Sequence, residues 1–208
     1  MFFDLDGTLT NPFTGITNSI IYSLEKFGIG VEDKRGLTAF IGPPLVESFQ
    51  KFYGFSKNDA LLAVEYYREY FSCKGLYENS VYEGIIPALA ELNSRGRKLY
   101  LATSKPEVFA EKIMDHFGVS PYFKDITGAT LNSSRSEKAD VLAYAIKKSG
   151  LKDKREAVMT GDRKHDIAGA KANGVSSVGV LYGFGSEDEL KSAGADKIIK
   201  SPKEIITI

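Results

Sequence analysis

Apolar and polar positions along the chain follow two different periods, and the change between them divides the sequence. From Thr14 to about Tyr77, apolar residues recur at helical spacing, and Ile16, Ile20 and Leu24 form the first such run. No alternating strand pattern interrupts this stretch. The pattern therefore predicts a small, all-helical module over residues 14–79.

Beyond this module, short apolar segments alternate with amphipathic ones. The pattern predicts strands at residues 98–102, 125–129, 157–160, 175–180 and 197–199, with helices between them. Such alternation is typical of a parallel sheet that has helices on both faces. We expect an α/β fold, with a Rossmann-like parallel sheet core in residues 1–13 and 80–208 and the helical module inserted into it.

The first strand of this core is short. Only Met1, Phe2 and Phe3 precede Asp4, whereas a strand usually has about 5–6 residues. We therefore expect that a few native residues are missing from the start of the sequence.

Two carboxylates, Asp4 and Asp6, follow this strand with one apolar residue between them. In an extended backbone they project to the same side, so their charges repel unless a cation lies between them. Mg²⁺ prefers oxygen ligands of this kind, and Gly7 allows a sharp turn directly after them. Asp-Gly is also a common turn, but the preceding strand and the carboxylates downstream favour a functional site.

Further candidate residues come after later strands. Thr103 and Ser104 follow the second strand at a predicted helix start, where hydroxyl and backbone N–H groups suit an anion. Asp162 and Asp166 follow another strand, and Lys138 lies near the start of the helix predicted over 134–148. The carboxyl ends of parallel strands carry the ligand site, so we expect these residues to converge. With Mg²⁺, they would form a set suited to phosphoryl transfer.

Composition narrows the classes of partner. Lys plus Arg and Asp plus Glu both number 27 in 208 residues, so no basic excess indicates nucleic acid. No apolar run approaches the roughly 20 residues of a membrane helix. Cys73 is the single cysteine, which excludes an internal disulfide and fits a reducing cytoplasm. We expect a cytoplasmic protein, a monomer or weak dimer without a membrane partner, in which Cys73 is a buried packing thiol.

These motifs together resemble those of the haloacid dehalogenase-like phosphohydrolases. The similarity rests on Asp4-x-Asp6-Gly7-Thr8-Leu9, a strand ending in Thr103, Lys138, and Gly161-Asp162-x-x-x-Asp166. The helical insert resembles the cap of the phosphoglycolate phosphatase-like branch of this family. Segments 42–45, 103–106 and 182–185 look like that branch in detail.

The resemblance implies roles for the aspartates. Asp4 would be the nucleophile that forms an aspartyl-phosphate. Asp6 would act first as general acid and then as general base, and its main-chain carbonyl would bind Mg²⁺. Asp4 and Asp162 would be direct metal ligands, and Asp166 would support the metal shell or Lys138.

The resemblance also implies roles for the lysine and the hydroxyl residues. Lys138 would be the catalytic lysine, although the segment before it lacks the Lys-Pro pair of relatives, which leaves Lys105 as the alternative. Thr103 and Ser104 would bind phosphate. Apart from the resemblance, we expect the loop of residues 40–45 in the cap to set substrate preference through Gly42, Pro43 and Leu45, because Gly42 permits close backbone approach and the prolines stiffen the loop.

The predicted function is a Mg²⁺-dependent phosphatase of small phosphorylated metabolites. A phosphomutase with the same core and cap is one alternative, and a non-catalytic phospho-accepting receiver module is another. A receiver has no need for Asp6 as a leaving-group acid, nor for a helical insert of about sixty residues. Phosphoglycolate, nucleoside monophosphates, sugar phosphates and pyrophosphate all remain open as substrates.

Overall fold

The structure is a computed structural model that describes residues 1–132 and 134–208. These residues divide into two compact units, one formed by Met1–Asn11 with Val81–Ile208 and the other by Pro12–Ser80. None of the helices in the described ranges combines the length and the apolar character needed to cross a bilayer.

Strands and helices follow one another along the chain as the alternation predicts. The strands are β1 (Phe2–Phe3), β2 (Tyr100–Pro106), β3 (Asp125–Ala129), β4 (Val158–Gly161), β5 (Ser176–Val180) and β6 (Lys197–Ile199). The α-helices are α1 (Phe13–Glu25), α2 (Leu45–Tyr53), α3 (Lys57–Tyr70), α4 (Ile85–Ser94), α5 (Glu107–His116), α6 (Lys138–Ser149), α7 (Lys164–Asn173) and α8 (Glu187–Ala193). Short 3₁₀ helices span Lys34–Phe40, Ser120–Tyr122, Lys154–Glu156 and Pro202–Thr207, and a π-helix spans Phe71–Gly75.

The strands of the first unit form one parallel sheet. Across the described residues its order is β3-β2-β1-β4-β5-β6. The short strand β1 lies inside the sheet, where Phe3 pairs with Leu101 of β2 on one side and with Thr160 of β4 on the other. The chain thus winds in opposite directions on the two sides of β1. In open parallel sheets, this switch point is where ligands bind, at the carboxyl ends of the strands.

Both faces of the sheet are buried, and the two residues of β1 show why. Phe2 and Phe3 are neighbours in a strand, so their side chains point to opposite faces. On one face, the ring of Phe3 meets the edge of Phe123, with the ring centres 6.0 Å apart. On the other, Phe2 belongs to an apolar cluster with side chains of β2, β4, α6 and α7, which includes Ala102, Val141, Leu142, Ala145, Met159 and Ala170. The predicted α/β fold with a Rossmann-like parallel sheet is confirmed.

The second unit, Pro12–Ser80, consists of helical segments without a strand, and all of its residues are described. Aromatic side chains fill its interior. The ring of Phe49 lies 5.2 Å from that of Phe40 and 5.8 Å from that of Phe55, and Tyr67 stacks on Phe71 at 5.2 Å. Aromatic residues bury much area each, which suits the core of a small helical unit.

The expectation that Cys73 is buried is wrong. Cys73 is exposed, because Phe71 and Gly75 occupy the buried positions of the π-helical turn that carries it. The absence of an internal disulfide is unaffected, since the sequence contains only this one cysteine.

The second strand is longer than the pattern predicts. We expected it to end at Ala102 and a helix to begin near Ser104, but β2 continues to Pro106 and α5 begins at Glu107. The extension pairs irregularly with β3, where the register shifts between Ala102 and Pro106. The backbone N–H groups of Thr103 and Ser104 therefore belong to an extended segment and not to a helix N-terminus.

Helix α6 begins at Lys138 and not, as expected, at Ser134. Hydrogen bonds around Arg135 explain the later start. Its carbonyl accepts from the N–H of Thr130 at 2.9 Å, and its guanidinium donates to the carbonyl of Gly128 at 2.9 Å. These contacts hold the chain in a loop until Lys138, which becomes the first helical residue.

Candidate active site

Carboxylates from three parts of the chain meet at the carboxyl ends of the central strands. Asp4 directly follows β1, Asp162 follows the neighbouring strand β4, and Asp166 lies in the first turn of α7. Their carboxylate oxygens lie within 4.8 Å of one another. Asp162 and Asp166 are buried, so the mutual repulsion of these groups calls for a compensating cation.

Lys138 supplies one positive charge to this group. Its Nζ atom lies 2.7 Å from Asp4 Oδ1 and 2.8 Å from Asp166 Oδ1, and it donates to the carbonyl of Ala102 at 3.1 Å. Burial alone would lower the pKa of Lys138, but the carboxylates of Asp166 and Asp4 outweigh it and hold the pKa above its ordinary value. Lys138 is thus an ammonium ion that fixes the orientation of Asp4.

Lys105 is paired with the second aspartate. Its Nζ atom lies 2.5 Å from Asp6 Oδ2, whereas Asp6 Oδ1 is buried without a hydrogen-bond partner among the described residues. Burial raises the pKa of Asp6, and the charge of Lys105 opposes that rise. The sequence left a choice between two lysines, and the structure places Lys138 on Asp4 and Lys105 on Asp6.

Asp166 links Lys138 to the start of α7. Its Oδ2 atom accepts a hydrogen bond from the N–H of Arg163 at 3.0 Å while Oδ1 pairs with Lys138. Burial is the main cause that raises the pKa of Asp166 to about 6; Lys138 lowers it and Asp4 adds to the rise. Asp166 therefore contacts Lys138; whether it supports Lys138 or the metal shell in catalysis stays a prediction.

The turn after Asp6 depends on Gly7. The φ angle of Gly7 is 82°, a conformation that L-residues with side chains rarely adopt. A Cβ atom at this position would also lie 2.2 Å from Asp162 Oδ2. Glycine is therefore required both for the turn and for the close approach of the turn to Asp162.

The orientation of Asp162 is set by a main-chain group that the sequence analysis missed. The N–H of Phe184 donates to Asp162 Oδ2 at 2.7 Å, whereas Oδ1 is buried without a hydrogen-bond partner among the described residues. Burial, with the charges of Asp166 and Asp4, raises the pKa of Asp162. Two signals in the sequence pointed to this segment: the glycines at 183 and 185, which flank Phe184 after a strand, and the similarity of residues 182–185 to the phosphoglycolate phosphatase-like branch.

The predicted phosphate-binding residues lie in the extended part of β2, beside β1. Thr103 is buried, and its Oγ1 atom accepts from the N–H of Lys105 at 3.2 Å, a contact that leaves the hydroxyl proton available to donate. Ser104 is half-buried next to it. The binding of phosphate by these residues stays a prediction.

The residues predicted to set substrate preference belong to the helical unit. Gly42 and Pro43 lie between the 3₁₀ helix Lys34–Phe40 and α2, and Leu45 is the first residue of α2. The φ angle of Gly42 is 108°, so glycine suits this turn. Their role in specificity stays a prediction.

Comparisons with known proteins place the chain among phosphate-processing enzymes. The family described as haloacid dehalogenase-like hydrolase matches residues 1–180. The chain is 48% identical over 190 residues to a 5′-nucleotidase of Pseudomonas aeruginosa, a match that covers 91% of this chain and 86% of that protein. It is 41% identical over 187 residues to the tyrosine-protein kinase PtkA of Mycobacterium tuberculosis, covering 89% of this chain and 63% of that one.

A solved structure gives the same result for the fold. The crystal structure of a predicted phosphatase from Clostridium acetobutylicum superposes with a TM-score of 0.95 at 48% identity, covering 99% of this chain and 95% of that one. The predicted enzyme class, a phosphoric monoester hydrolase, is confirmed, and the non-catalytic receiver is set aside. The resemblance inferred from the four motifs is confirmed as well. The chain belongs to the haloacid dehalogenase-like hydrolase family.

Proposed function

We propose that this protein is a Mg²⁺-dependent phosphatase that hydrolyses phosphate monoesters of small metabolites through a phospho-aspartate on Asp4. The observation that carries this proposal is the contact of Asp4 with the ammonium group of Lys138, beside the buried carboxylate of Asp162. Nucleoside 5′-monophosphates are the first substrates to test, because the Pseudomonas aeruginosa relative is named a 5′-nucleotidase.

In the first step, Asp4 is the nucleophile and Asp6 the acid. A carboxylate oxygen of Asp4 attacks phosphorus, the bond between phosphorus and the ester oxygen breaks, and Asp6 gives its proton to that oxygen. The raised pKa of Asp6 favours the protonated form that this step needs. Lys138 orients Asp4, and the hydroxyl groups of Thr103 and Ser104 bind phosphate oxygens.

In the second step, water removes the phosphoryl group from Asp4. Asp6, now a carboxylate, takes a proton from the water molecule while the water oxygen attacks phosphorus. The bond between phosphorus and the Asp4 oxygen breaks, and inorganic phosphate leaves. Asp4 is again a carboxylate and Asp6 again carries a proton, so water is the only co-reactant.

The residues present fit a hard divalent cation. Asp162 has a buried carboxylate oxygen without a hydrogen-bond partner among the described residues, close to the carboxylate of Asp4. Mg²⁺ takes oxygen ligands of this type, and the side chains of Asp4 and Asp162 with the main-chain carbonyl of Asp6 would hold it. When bound, Mg²⁺ supplies positive charge that offsets the charges of the carboxylates and the phosphate.

We propose that the two parts of the chain have different roles. We assign the catalytic core to residues 1–13 and 80–208 and the cap to residues 14–79. All candidate catalytic residues lie in the unit that contains the sheet. Substrate preference would then depend on the cap, in particular on Gly42, Pro43 and Leu45.

A phosphate-release assay tests this proposal. The panel contains nucleoside 5′-monophosphates, phosphoglycolate, hexose phosphates and pyrophosphate, each with Mg²⁺ and with a chelator, and Asp4→Asn is the control. We expect metal-dependent release from at least one monoester and none by Asp4→Asn. Release that persists in the chelator, or in the variant, would contradict the proposal.

Transfer to an acceptor other than water is the competing outcome. A phosphomutase would pass the phosphoryl group to a sugar hydroxyl, and the name of the mycobacterial relative indicates transfer to tyrosine. Isomerisation of a hexose 1-phosphate, or labelling of a tyrosine peptide, faster than phosphate release would favour transfer over hydrolysis.

A further inference from the structure

We infer that the segment Tyr182–Gly185, after β5, is a positioning element for the metal site, which holds Asp162 so that a single carboxylate oxygen is presented to the cation. The inference rests on the proposed function, since it concerns the proposed Mg²⁺ ligand Asp162. The segment lies outside the four motifs, and its similarity to the phosphoglycolate phosphatase-like branch assigns it no role. Three contacts of the segment support this inference.

The first contact orients the carboxylate. The N–H of Phe184 donates to Asp162 Oδ2 at 2.7 Å. Asp162 itself is 0% exposed, and its Oδ1 atom has no hydrogen-bond partner among the described residues. Because one oxygen is engaged by a main-chain donor, which cannot rotate away as a side chain can, the other is left for the cation.

The second contact is steric and involves Gly183. A Cβ atom on Gly183 would lie 2.3 Å from the carbonyl oxygen of Gly7, 2.4 Å from Asp162 Cβ and 2.6 Å from Asp162 Oδ2. The φ angle of Gly183 is not positive, so other residues could adopt this backbone conformation. Glycine is needed here because there is no room for a Cβ atom. The main chain of the segment thus lies directly against both the metal ligand and the turn that follows Asp6.

The third contact fastens the segment to that turn. The hydroxyl of Tyr182 donates to the carbonyl of Thr8 at 3.1 Å, and its ring meets the ring of Tyr82 edge-on with centres 5.1 Å apart. The segment therefore connects the Asp6–Thr8 turn to Asp162. Groups that orient metal ligands in this way typically contribute about 10–100-fold to metal affinity.

Metal binding without substrate tests the inference. Titration calorimetry with Mg²⁺, and with Mn²⁺ as a second probe, is compared for the unsubstituted protein, Gly183→Ala and Gly75→Ala, alongside melting curves. Gly75→Ala is the matched control, because its Cβ would lie 2.7 Å from Ser19 Oγ and 3.0 Å from the carbonyl of Gly15, inside the helical unit. It introduces a clash that is milder than the one at Gly183, where the shortest approach is 2.3 Å, and it does not touch the carboxylates.

We expect Gly183→Ala to bind either ion at least tenfold more weakly, and Gly75→Ala to bind within twofold of the unsubstituted protein even where its melting temperature falls. Equal metal affinity of all three proteins, or equally weakened affinity in both variants, would overturn this inference but not the proposed metal site. No saturable binding by the unsubstituted protein would overturn the proposed metal site and this inference with it.

If Gly183→Ala does not melt cooperatively, a milder variant tests the inference instead. Tyr182→Phe keeps the ring against Tyr82 and removes only the donor to the carbonyl of Thr8. We expect three- to tenfold weaker metal binding with an unchanged melting temperature. Unchanged metal affinity in Tyr182→Phe would then overturn the inference.

Discussion

The Nζ atom of Lys138 lies 2.7 Å from Oδ1 of Asp4, and this contact joins the end of the central strand β1 to the first residue of α6. Lys138 is 6% exposed and Asp4 is 9% exposed. A buried ammonium ion is tolerated only when opposite charges surround it, and here Asp4 and Asp166 do so. The same contact holds the proposed nucleophile in place.

Replacement of Lys138 should therefore impair both stability and activity. Lys138→Met leaves Asp4 and Asp166 buried without their cation, and breaking a buried pair in this way typically costs about 3–5 kcal/mol. We expect a lower free energy of unfolding in urea and loss of phosphate release. The free energy comes from urea denaturation curves in the presence of a chelator.

Lys148→Met is the control for this prediction. Lys148 also pairs with an aspartate, Asp125, at 2.8 Å, but its side chain is 43% exposed. Exposed pairs typically contribute about 0–1 kcal/mol, so this variant should stay near the unsubstituted protein. A Lys138→Met protein as stable as Lys148→Met would show that Lys138 is not structurally required.

Replacement of Lys105 should change the pH dependence of the reaction. Lys105 lowers the pKa of Asp6 against the effect of burial, so Lys105→Met should raise that pKa further. Since Asp6 must be protonated for the first step, the basic limb of the kcat/KM profile should move to higher pH. Lys112→Met, which removes an exposed lysine of α5, should leave the profile in place. If the basic limb of the kcat/KM profile stays at the same pH in Lys105→Met, Lys105 does not influence the proton transfer by Asp6.

Asp166 should stabilise the metal-free protein more at pH 5 than at pH 7. Burial raises the pKa of Asp166 to about 6 in the folded state, whereas an unfolded aspartate titrates near 3.9. Asp166 therefore binds a proton more readily in the folded protein, and its contribution to stability falls as pH rises from about 4 to about 6. Melting temperatures in a chelator across this range measure the effect.

A variant and a metal titration check the cause of this slope. Asp166→Asn removes the titrating group, so its melting temperature should depend less steeply on pH. Mg²⁺ should raise the melting temperature at pH 7 more than at pH 5, because protonated carboxyls are poor ligands. If the melting temperature of Asp166→Asn depends on pH as steeply as that of the unsubstituted protein, groups other than Asp166 cause the dependence.

Substitutions in the predicted cap loop should change which substrate is preferred. Pro43→Ala and Leu45→Ala should alter the ratio of kcat/KM between a small and a large substrate more than they lower the melting temperature. Leu61→Ala, at a position that is 47% exposed in α3, is the control within the same helical unit. If both substrates lose activity equally and in step with stability, the loop is only a structural turn.

The positions of the aspartates could be predicted from the sequence because they follow from two simple geometric rules. The spacing of Asp4 and Asp6 after a strand indicated two carboxylates on one side. The rule that ligand sites lie at the carboxyl ends of parallel strands then brought in Asp162, which the structure places within 4.8 Å of Asp4. Both inferences need only the period of the pattern and the order of the strands.

The pairing of the lysines could not be predicted in the same way. Lys105 reaches Asp6 from β2, which the apolar pattern ended too early, at Ala102. Polar residues inside a strand give no periodic signal, so its last residues looked like a loop. The N–H of Phe184 was missed for a different reason, since a main-chain donor leaves no trace in the identity of its side chain.

Chemical trapping of the phospho-aspartate tests the central claim most directly. Asp6→Asn should still accept a phosphoryl group on Asp4 from para-nitrophenyl phosphate, whose leaving group departs without a proton, but should release it slowly, because the base that activates water is lost. The variant is mixed with para-nitrophenyl phosphate, quenched in acid and treated with borohydride, which reduces an acyl phosphate to an alcohol. Peptide mass spectrometry then locates the reduced residue, with Asp4→Asn as the control.

The account predicts a reduced side chain at position 4 of the Asp6→Asn protein, dependent on Mg²⁺ and on substrate, and none in Asp4→Asn. Substrate consumption with no modification at position 4, or reduction at a different carboxylate, would contradict the assignment of Asp4 as the nucleophile.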